Sequence, residues 1–361
     1  GGGGGGGGGE GGGGGELIVI HVCDDNRRIH RDFHCMRDLL LEHMCYFQSY
    51  LCAERGHEEI DISVHCDVHI FEWLMEWMHQ PETPPAFDTA SVISILISAD
   101  FLQMAHLTDL CLDFVHARAN DVIRLPIDLG CLSEDLVSRL AHRFEVEGLE
   151  RLRDKKDKLL SRLYQHKLDA LLQLECNTLH KCSYCHKLFT AQQRDCEHCP
   201  KAPVFVDFRG EEIAEHVATR TWEAAKWVVS LRKAKSSPRE IFWKVWGLTT
   251  FLRCGCCGEL FPLAELDHCK HHPGEPVFEP GEALGYYPCC GRTATRFDAP
   301  GGGGPGARRG GCQARRHTPE VTRRTPAGAR RAMALTVERA VAHADLVLVP
   351  FVPVDARGKE E

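Results

Sequence analysis

Eleven of the nineteen cysteines in this 361-residue chain lie beyond position 181, and most of them come in close pairs. Two thiols separated by two residues fit on one tight turn and supply half of a tetrahedral sulfur and nitrogen site, the arrangement zinc prefers. The stretch KCSYCHKLFTAQQRDCEHCP offers Cys182, Cys185, Cys196 and Cys199, with His186 and His198 as substitutes for a neighbouring thiolate and Phe189 placed to pack over the metal. A second set is Cys254, Cys257, Cys269 and His272 in RCGCCGELFPLAELDHCKHH, where Cys256, His268 and His271 crowd the choice of ligand. A third, looser set is Cys289, Cys290, Cys312 and His317, split by a Gly-rich insertion. Zinc is therefore expected at the first two sets, with the third as a further candidate.

Four protein ligands close the coordination sphere, whereas a catalytic zinc keeps one position open beside a general base. The sequence contains no HExxH, Gly-x-Ser-x-Gly or P-loop, and the ordered deaminase signature is absent. A RING module needs eight interleaved ligands in one compact unit, and residues 200–253 separate the first two sets. The expectation is structural metal and no enzymatic activity.

Compartment and charge narrow the class further. No apolar run approaches the roughly 18 residues of a membrane span, and no charged-then-apolar signal pattern opens the chain. Cysteines in a reducing compartment serve as ligands or core residues rather than disulfides. An intracellular location is expected, the nucleus ahead of the cytoplasm. With 51 acidic and 43 basic side chains the net charge is −8, which argues against direct nucleic-acid binding over the whole surface.

The elements that must carry these residues follow from periodicity. Residues 1–15 are Gly except Glu10 and cannot form a core. LIVIHV (17–22), 29–34 and IDISV (60–64) read as strands. Apolar residues at helical spacing predict helices over 36–51, over 68–78 with Ile70, Phe71, Leu74 and Trp77 on one face, and near 89–103 and 106–119. From Leu132 to about Leu174 the pattern is helical again, with Ser133 as N-cap and the charges of 149–172 on a solvated face. Ser237-Pro238-Arg239-Glu240 is a helix start, and Trp222, Trp227, Trp243, Trp246 and Phe251 predict a small helical core. Residues 299–331 are Gly-, Pro- and Arg-rich and read as flexible. Residues 332–354 predict a helix followed by the strand-like DLVLVPFVPV.

The order strand, strand, helix, strand and helices resembles a BTB (POZ) domain. FHCMRDLLLEHMCYFQSYL (33–51) is similar to that family's signature through Phe33, Arg37, Leu39, Leu40, Tyr46 and Phe47. Met36 stands where a His is usual and Met44 where a Ser is usual. Colinear stretches from about 16 to 353 also resemble the SANT and BTB domain regulator of class switch recombination family. They are ELIVIHVCD, DISVHCDVHIFEWL, VISILISADFL, LRDKKDKLLSRL, WKVWG, HC-x2-H, YPCCG, RFD, GC and DLVLVPF. The place of that family's SANT domain, N-terminal to the BTB domain, holds the glycine tract here.

The reading is thus an α+β chain: a BTB domain over 16–120, a helical extension over 131–175, then zinc-stabilised modules around Trp-rich helices over 180–298. The resemblance implies a homodimer formed through the BTB domain, contact with histone deacetylase corepressor complexes, and negative regulation of immunoglobulin class switching. The alternative on the same fold is a substrate adaptor of a cullin-3 ubiquitin ligase, with the helices of 132–172 extending the cullin contact.

Overall fold

A computed structural model describes residues 16–25, 27–51, 61–65, 67–80, 83–196, 199, 201–206, 208, 212–258, 260–295 and 311–350. The glycine tract, residues 299–310 of the Arg-rich segment, 351–354 of the C-terminal run, Cys52, Cys66 and His198 lie outside the described residues, as does the side chain of Cys196. The chain divides into two compact units, Gly1–Leu163 and Tyr164–Glu361.

In the first unit β1 (Leu17–Asp24) is the centre of a three-stranded sheet, antiparallel to β2 (Ile29–Met36) and parallel to β3 (Asp61–His65). Its alternation is literal: Ile18, Ile20, Val22 and Asp24 are buried, and the intervening residues are not. The helix expected over 36–51 is broken into α1 (Arg37–His43), a 3-10 turn and α2 (Gln48–Leu51), because Met44 leaves helical geometry and buries its side chain. Arg37 ties this corner together. Its amide donates to the Glu16 carbonyl and its guanidinium to the Glu16 carboxylate and the Leu51 carbonyl.

Helix α3 (Val68–His79) starts where the Asp67 carboxylate accepts the amides of His69 and Ile70. It buries Val68, Phe71, Leu74, Met75 and Met78, so the core face is rotated from the expected one and leaves Ile70 and Trp77 half-buried. The unit continues with α4 (Val92–Phe101), α5 (Ala105–Ala117), α6 (Ala119–Arg124), α7 (Glu134–Arg143) and α8 (Val146–Glu150). Ser133 caps α7 as expected, accepting the Leu136 amide.

The helical pattern of 149–172 is interrupted, and α9 (Leu160–Gln173) begins only after a turn. The Asp154 carboxylate stops it, accepting the amides of Lys158, Leu159 and Leu160. Burial works against its charge, but these three amides and Lys158 outweigh it and hold the carboxyl below the usual carboxylate range. The expected solvated face is also partly spent on the fold. Lys158 Nζ donates to the carbonyls of Ile123, Leu125 and Ile127 at 3.2, 2.5 and 3.0 Å. Arg162 likewise reaches the carbonyls of Leu129 and Leu132 and the Glu134 carboxylate.

The second unit contains small hairpins arranged around helices. Its elements are β4 (Leu179–Lys181), β5 (Leu188–Thr190), α10 (Ala191–Cys196), β6 (Phe205–Val206), β7 (Glu212–Ile213), α11 (Ala224–Lys233), α12 (Pro238–Thr249), β8 (Phe251–Arg253), β9 (Leu260–Pro262), β10 (Cys269–His271), β11 (Val277–Phe278), β12 (Leu284–Tyr286), β13 (Thr293–Thr295), β14 (Gln313–Arg315), α13 (Ala327–Ala342) and α14 (Ala344–Val347). Ser237 and Glu240 form the expected reciprocal cap of α12. This helix is the common core, packing against β5, β9 and α14. Trp243 is buried on it between Phe242, Trp246 and the stacked ring of His343.

Two expectations change here. Residues 313–315 of the Arg-rich segment are a strand paired with β10. The strand-like C-terminal run begins as the helix α14, which fits because Gly247 of α12 lets Val347 come within contact distance of its backbone. Val349 then exchanges hydrogen bonds with the Ala264 carbonyl and the His268 ring without joining a sheet.

Candidate metal centres

Local sequence makes each Cys-x2-Cys a knuckle at the tip of a hairpin. Strands β4 and β5 pair in register, and the turn between them carries Cys182 and Cys185. The Cys182 amide donates to the Lys187 carbonyl, the Cys182 carbonyl accepts from His186, and the Tyr184 amide points at Cys182 Sγ at 3.4 Å. His186 takes a left-handed φ of 63° to close the turn. Strands β8 and β9 repeat the device. The Cys254 carbonyl accepts from Gly258, whose φ is 74°, and the Cys256 amide points at Cys254 Sγ at 3.3 Å.

Four donor atoms converge at each of three places, within 4.8 Å of one another. The first group is Cys182, Cys185, Cys199 and His216. His216 was not expected from spacing, and it supplies a fourth donor without Cys196. The second is Cys254, Cys257, Cys269 and His317, and the third is His272, Cys289, Cys290 and Cys312. All the histidines and cysteines expected in the second and third sets are present, but His272 and His317 exchange places. The other crowding side chains stay out of these groups. Cys256 and His186 are exposed, and His268 is engaged by the Val349 carbonyl.

The exchange has a structural cause. His317 belongs to a segment that returns to the second knuckle. Gly255 donates to the Thr318 carbonyl, Glu320 donates to the Arg253 carbonyl, and Cys254 pairs with Pro319. The first knuckle is closed in the same way. Ser183 donates to the Val217 carbonyl, Thr219 donates to the Lys181 carbonyl, and Cys182 pairs with Ala218. The first and third sulfurs lie 3.8 Å apart in one module and 3.9 Å in the other. The second sulfur meets the His Nδ1 at 3.4 and 3.6 Å. Each His ring stacks on the Phe of a Leu-Phe pair, His216 on Phe189 and His317 on Phe261. The second unit thus contains one candidate metal module twice, bridged by the Lys187–Glu265 ion pair at 2.7 Å.

The donor sets fit a thiophilic divalent cation. Three thiols and one imidazole face one another with burial on every side in the second group and nearly so in the first. Burial opposes thiolate formation at Cys182, yet the amides of Cys185, Tyr184 and Val217 and the His216 ring bring it down to about 6. Burial and the neighbouring sulfurs push Cys185 up to about 12. Cys254 is lowered and Cys269 raised by the same opposition of amide donors to burial and like charge. A bound cation would reverse that sulfur–sulfur repulsion. Burial also brings the His317 ring down to about 4, which keeps it neutral and able to ligate. His216 Nε2 is buried without a hydrogen bond, and the ring is oriented by its stack on Phe189 and by the contact of Nδ1 with Cys185 Sγ.

The third group is different in kind. Cys289, Cys290 and Cys312 are exposed, His272 Nδ1 lies 3.3 and 3.5 Å from the adjacent sulfurs, and its ring stacks on Tyr287 at 3.7 Å. Cys35 and Cys111 of the first unit belong to none of these groups. Burial pushes the thiols of Cys35 and Cys111 up to about 11 and 12, the behaviour of inert core residues. Among the described residues no helix is long and apolar enough to cross a membrane.

The strands and helices of the first unit follow the order read from the sequence, and its chain segment has a counterpart among known families. Residues 18–112 match the family described as SANT and BTB domain regulator of CSR, BTB domain, so this segment of the chain is a BTB domain similar to that family's.

Proposed function

We propose that the chain is a non-enzymatic regulator that homodimerises through its BTB domain and uses zinc-stabilised modules to present a second surface. The partner implied is a histone deacetylase corepressor complex in the nucleus, in the manner of a negative regulator of class switch recombination. The observation that carries the dimer is the apolar end of the BTB sheet. Leu17 and Met36 are cross-strand partners at that end, yet they are 55% and 39% exposed. Among the described residues β2 has no strand on its outer side, and a sheet edge with exposed apolar residues is a surface that a second chain covers.

Zinc is the metal the donor sets favour, since three thiolates and an imidazole in a closed tetrahedral set select it. Closed sets in hairpin tips stabilise modules too small to hold a core alone. Native mass spectrometry of the full chain, purified without chelator, tests both statements together. A dimer with at least two zinc ions per chain supports the reading, and Met36→Glu should then yield monomers with the same metal content. A metal-free monomer overturns it. Pulldown with the dimer should recover deacetylase corepressor subunits, and recovery of cullin-3 in their place would select the adaptor function instead.

A further inference from the structure

We propose that the third group, His272, Cys289, Cys290 and Cys312, is an exchangeable zinc site, and that its Cys289–Cys312 pair is where a hydroperoxide oxidises this chain. The inference rests on the zinc reading of the donor sets and divides them into two classes.

The division comes from placement. Both repeated modules have their knuckle sulfurs shielded by a returning segment and a stacked Phe–His pair. Among the described residues the third group has no such cover, and its three cysteines are exposed. It lies within the segment that separates Cys269 from His317, and a three-rung ladder stands between it and the second centre. Strands β10 and β14 pair Cys269 with Arg315, Lys270 with Ala314 and His271 with Gln313. Cys269 and His317 lie at one end of this ribbon. His272 and Cys312 are the next residues at the other end. The ladder therefore holds the second centre together whether or not the third is filled. Its far end is a fixed scaffold, because Gly311 packs so closely on His271 that a Cβ there would come within 2.1 Å of the His271 amide nitrogen.

The same placement exposes a reactive pair. Cys289 and Cys312 Sγ are 3.4 Å apart and open to solvent. A Cys289 thiolate can attack the peroxide oxygen, breaking the O–O bond and leaving a sulfenic acid and hydroxide. The Cys312 thiolate then attacks that sulfur and expels a second hydroxide. The two thiolates give up two electrons, the peroxide takes them, and two solvent protons turn the hydroxides into water. With two of four donors joined in a disulfide, the zinc leaves.

The test is zinc-loaded full-length protein titrated with hydrogen peroxide, followed by native mass spectrometry, a zinc-release dye and disulfide mapping by peptide analysis. The expected course is a fall from three zinc ions per chain to two, with a Cys289–Cys312 disulfide forming before the exposed lone thiols Cys45, Cys131 and Cys176 react. Cys312→Ser should start at two ions and release none over the same range. Release of all ions together, or retention of the third while the lone thiols oxidise, overturns the inference. A chain that holds two ions from the start and forms no Cys289–Cys312 disulfide also overturns it but leaves the two structural modules intact. A chain that never binds zinc overturns both.

Discussion

Exchanging which histidine is removed separates the two assignments of the second and third centres. His317→Ala takes away a ring that is 7% exposed, stacks on Phe261 at 4.0 Å and completes a set with the buried Cys254, Cys257 and Cys269. Removing one partner from a buried charged cluster costs about 3–5 kcal/mol, and the lost aromatic pair adds about 0.5–1.5 kcal/mol. For a unit of this size, at about 2–4 °C per kcal/mol, the melting temperature should fall by roughly 10 °C or more. His272→Ala removes a ring from an exposed set beyond the β10–β14 ladder, and its stack on Tyr287 is worth about 0.5–1.5 kcal/mol at most. Each variant should lose one zinc ion by mass, and only His317→Ala should lower the main calorimetric transition strongly. A large fall for His272→Ala with none for His317→Ala would restore the pairing read from spacing and refute the duplicated module.

Three further outcomes are expected. Lys158→Met removes an ammonium held by three backbone carbonyls and should lower stability by about 2–4 kcal/mol in urea unfolding, whereas Lys155→Met at an exposed position should stay within about 0.5 kcal/mol of wild type. Asp154→Ala strips the start of α9 and should cost about 1–2 kcal/mol. Because the folded carboxyl is depressed, its contribution is present above the unfolded value near ~3.9 and is lost as the pH falls through the lower folded value. The variant's deficit should therefore shrink in acid. Gly311→Ala forces a Cβ onto the His271 backbone, and the zinc count should drop by one while the first centre keeps its ion.

Much of the fold was legible because local chemistry and tertiary contact agree. The β1 alternation, the Ser133 cap and the Ser237–Glu240 box each carry their instruction in adjacent residues. The failures are places where a distant partner decides. The charged stretch 149–172 has a good helical pattern, but Asp154 binds three amides ahead of it and Lys158 finds carbonyls more than thirty residues away. The C-terminal run DLVLV places valines at every second position from Val347, yet it starts as a helix docked on Gly247, where packing outweighs the strand-like pattern.

The candidate metal ligands divide along the same line. A knuckle pair is local, since both thiols and the amides that orient them lie on one turn, so Cys182, Cys185, Cys254 and Cys257 stand out from spacing alone. The fourth ligand is not local. In both modules it arrives on a segment that bridges back to the knuckle after an insertion, β6 and β7 before His216 and the long β10–β14 excursion before His317. An insertion whose two ends are already held together by a ligand pair and a backbone bridge adds little loop entropy, because that cost grows only with the logarithm of length. The module therefore tolerates insertions of very different size at this one point, and their length hides the partnership from any reading based on spacing. What remains visible is the shared Cys-x2-Cys-x2-Leu-Phe, residues 182–189 and 254–261. That shared segment marks the knuckle and its stacking Phe, whereas the histidine two residues before the closing bridge, His216 in one module and His317 in the other, has no local signal.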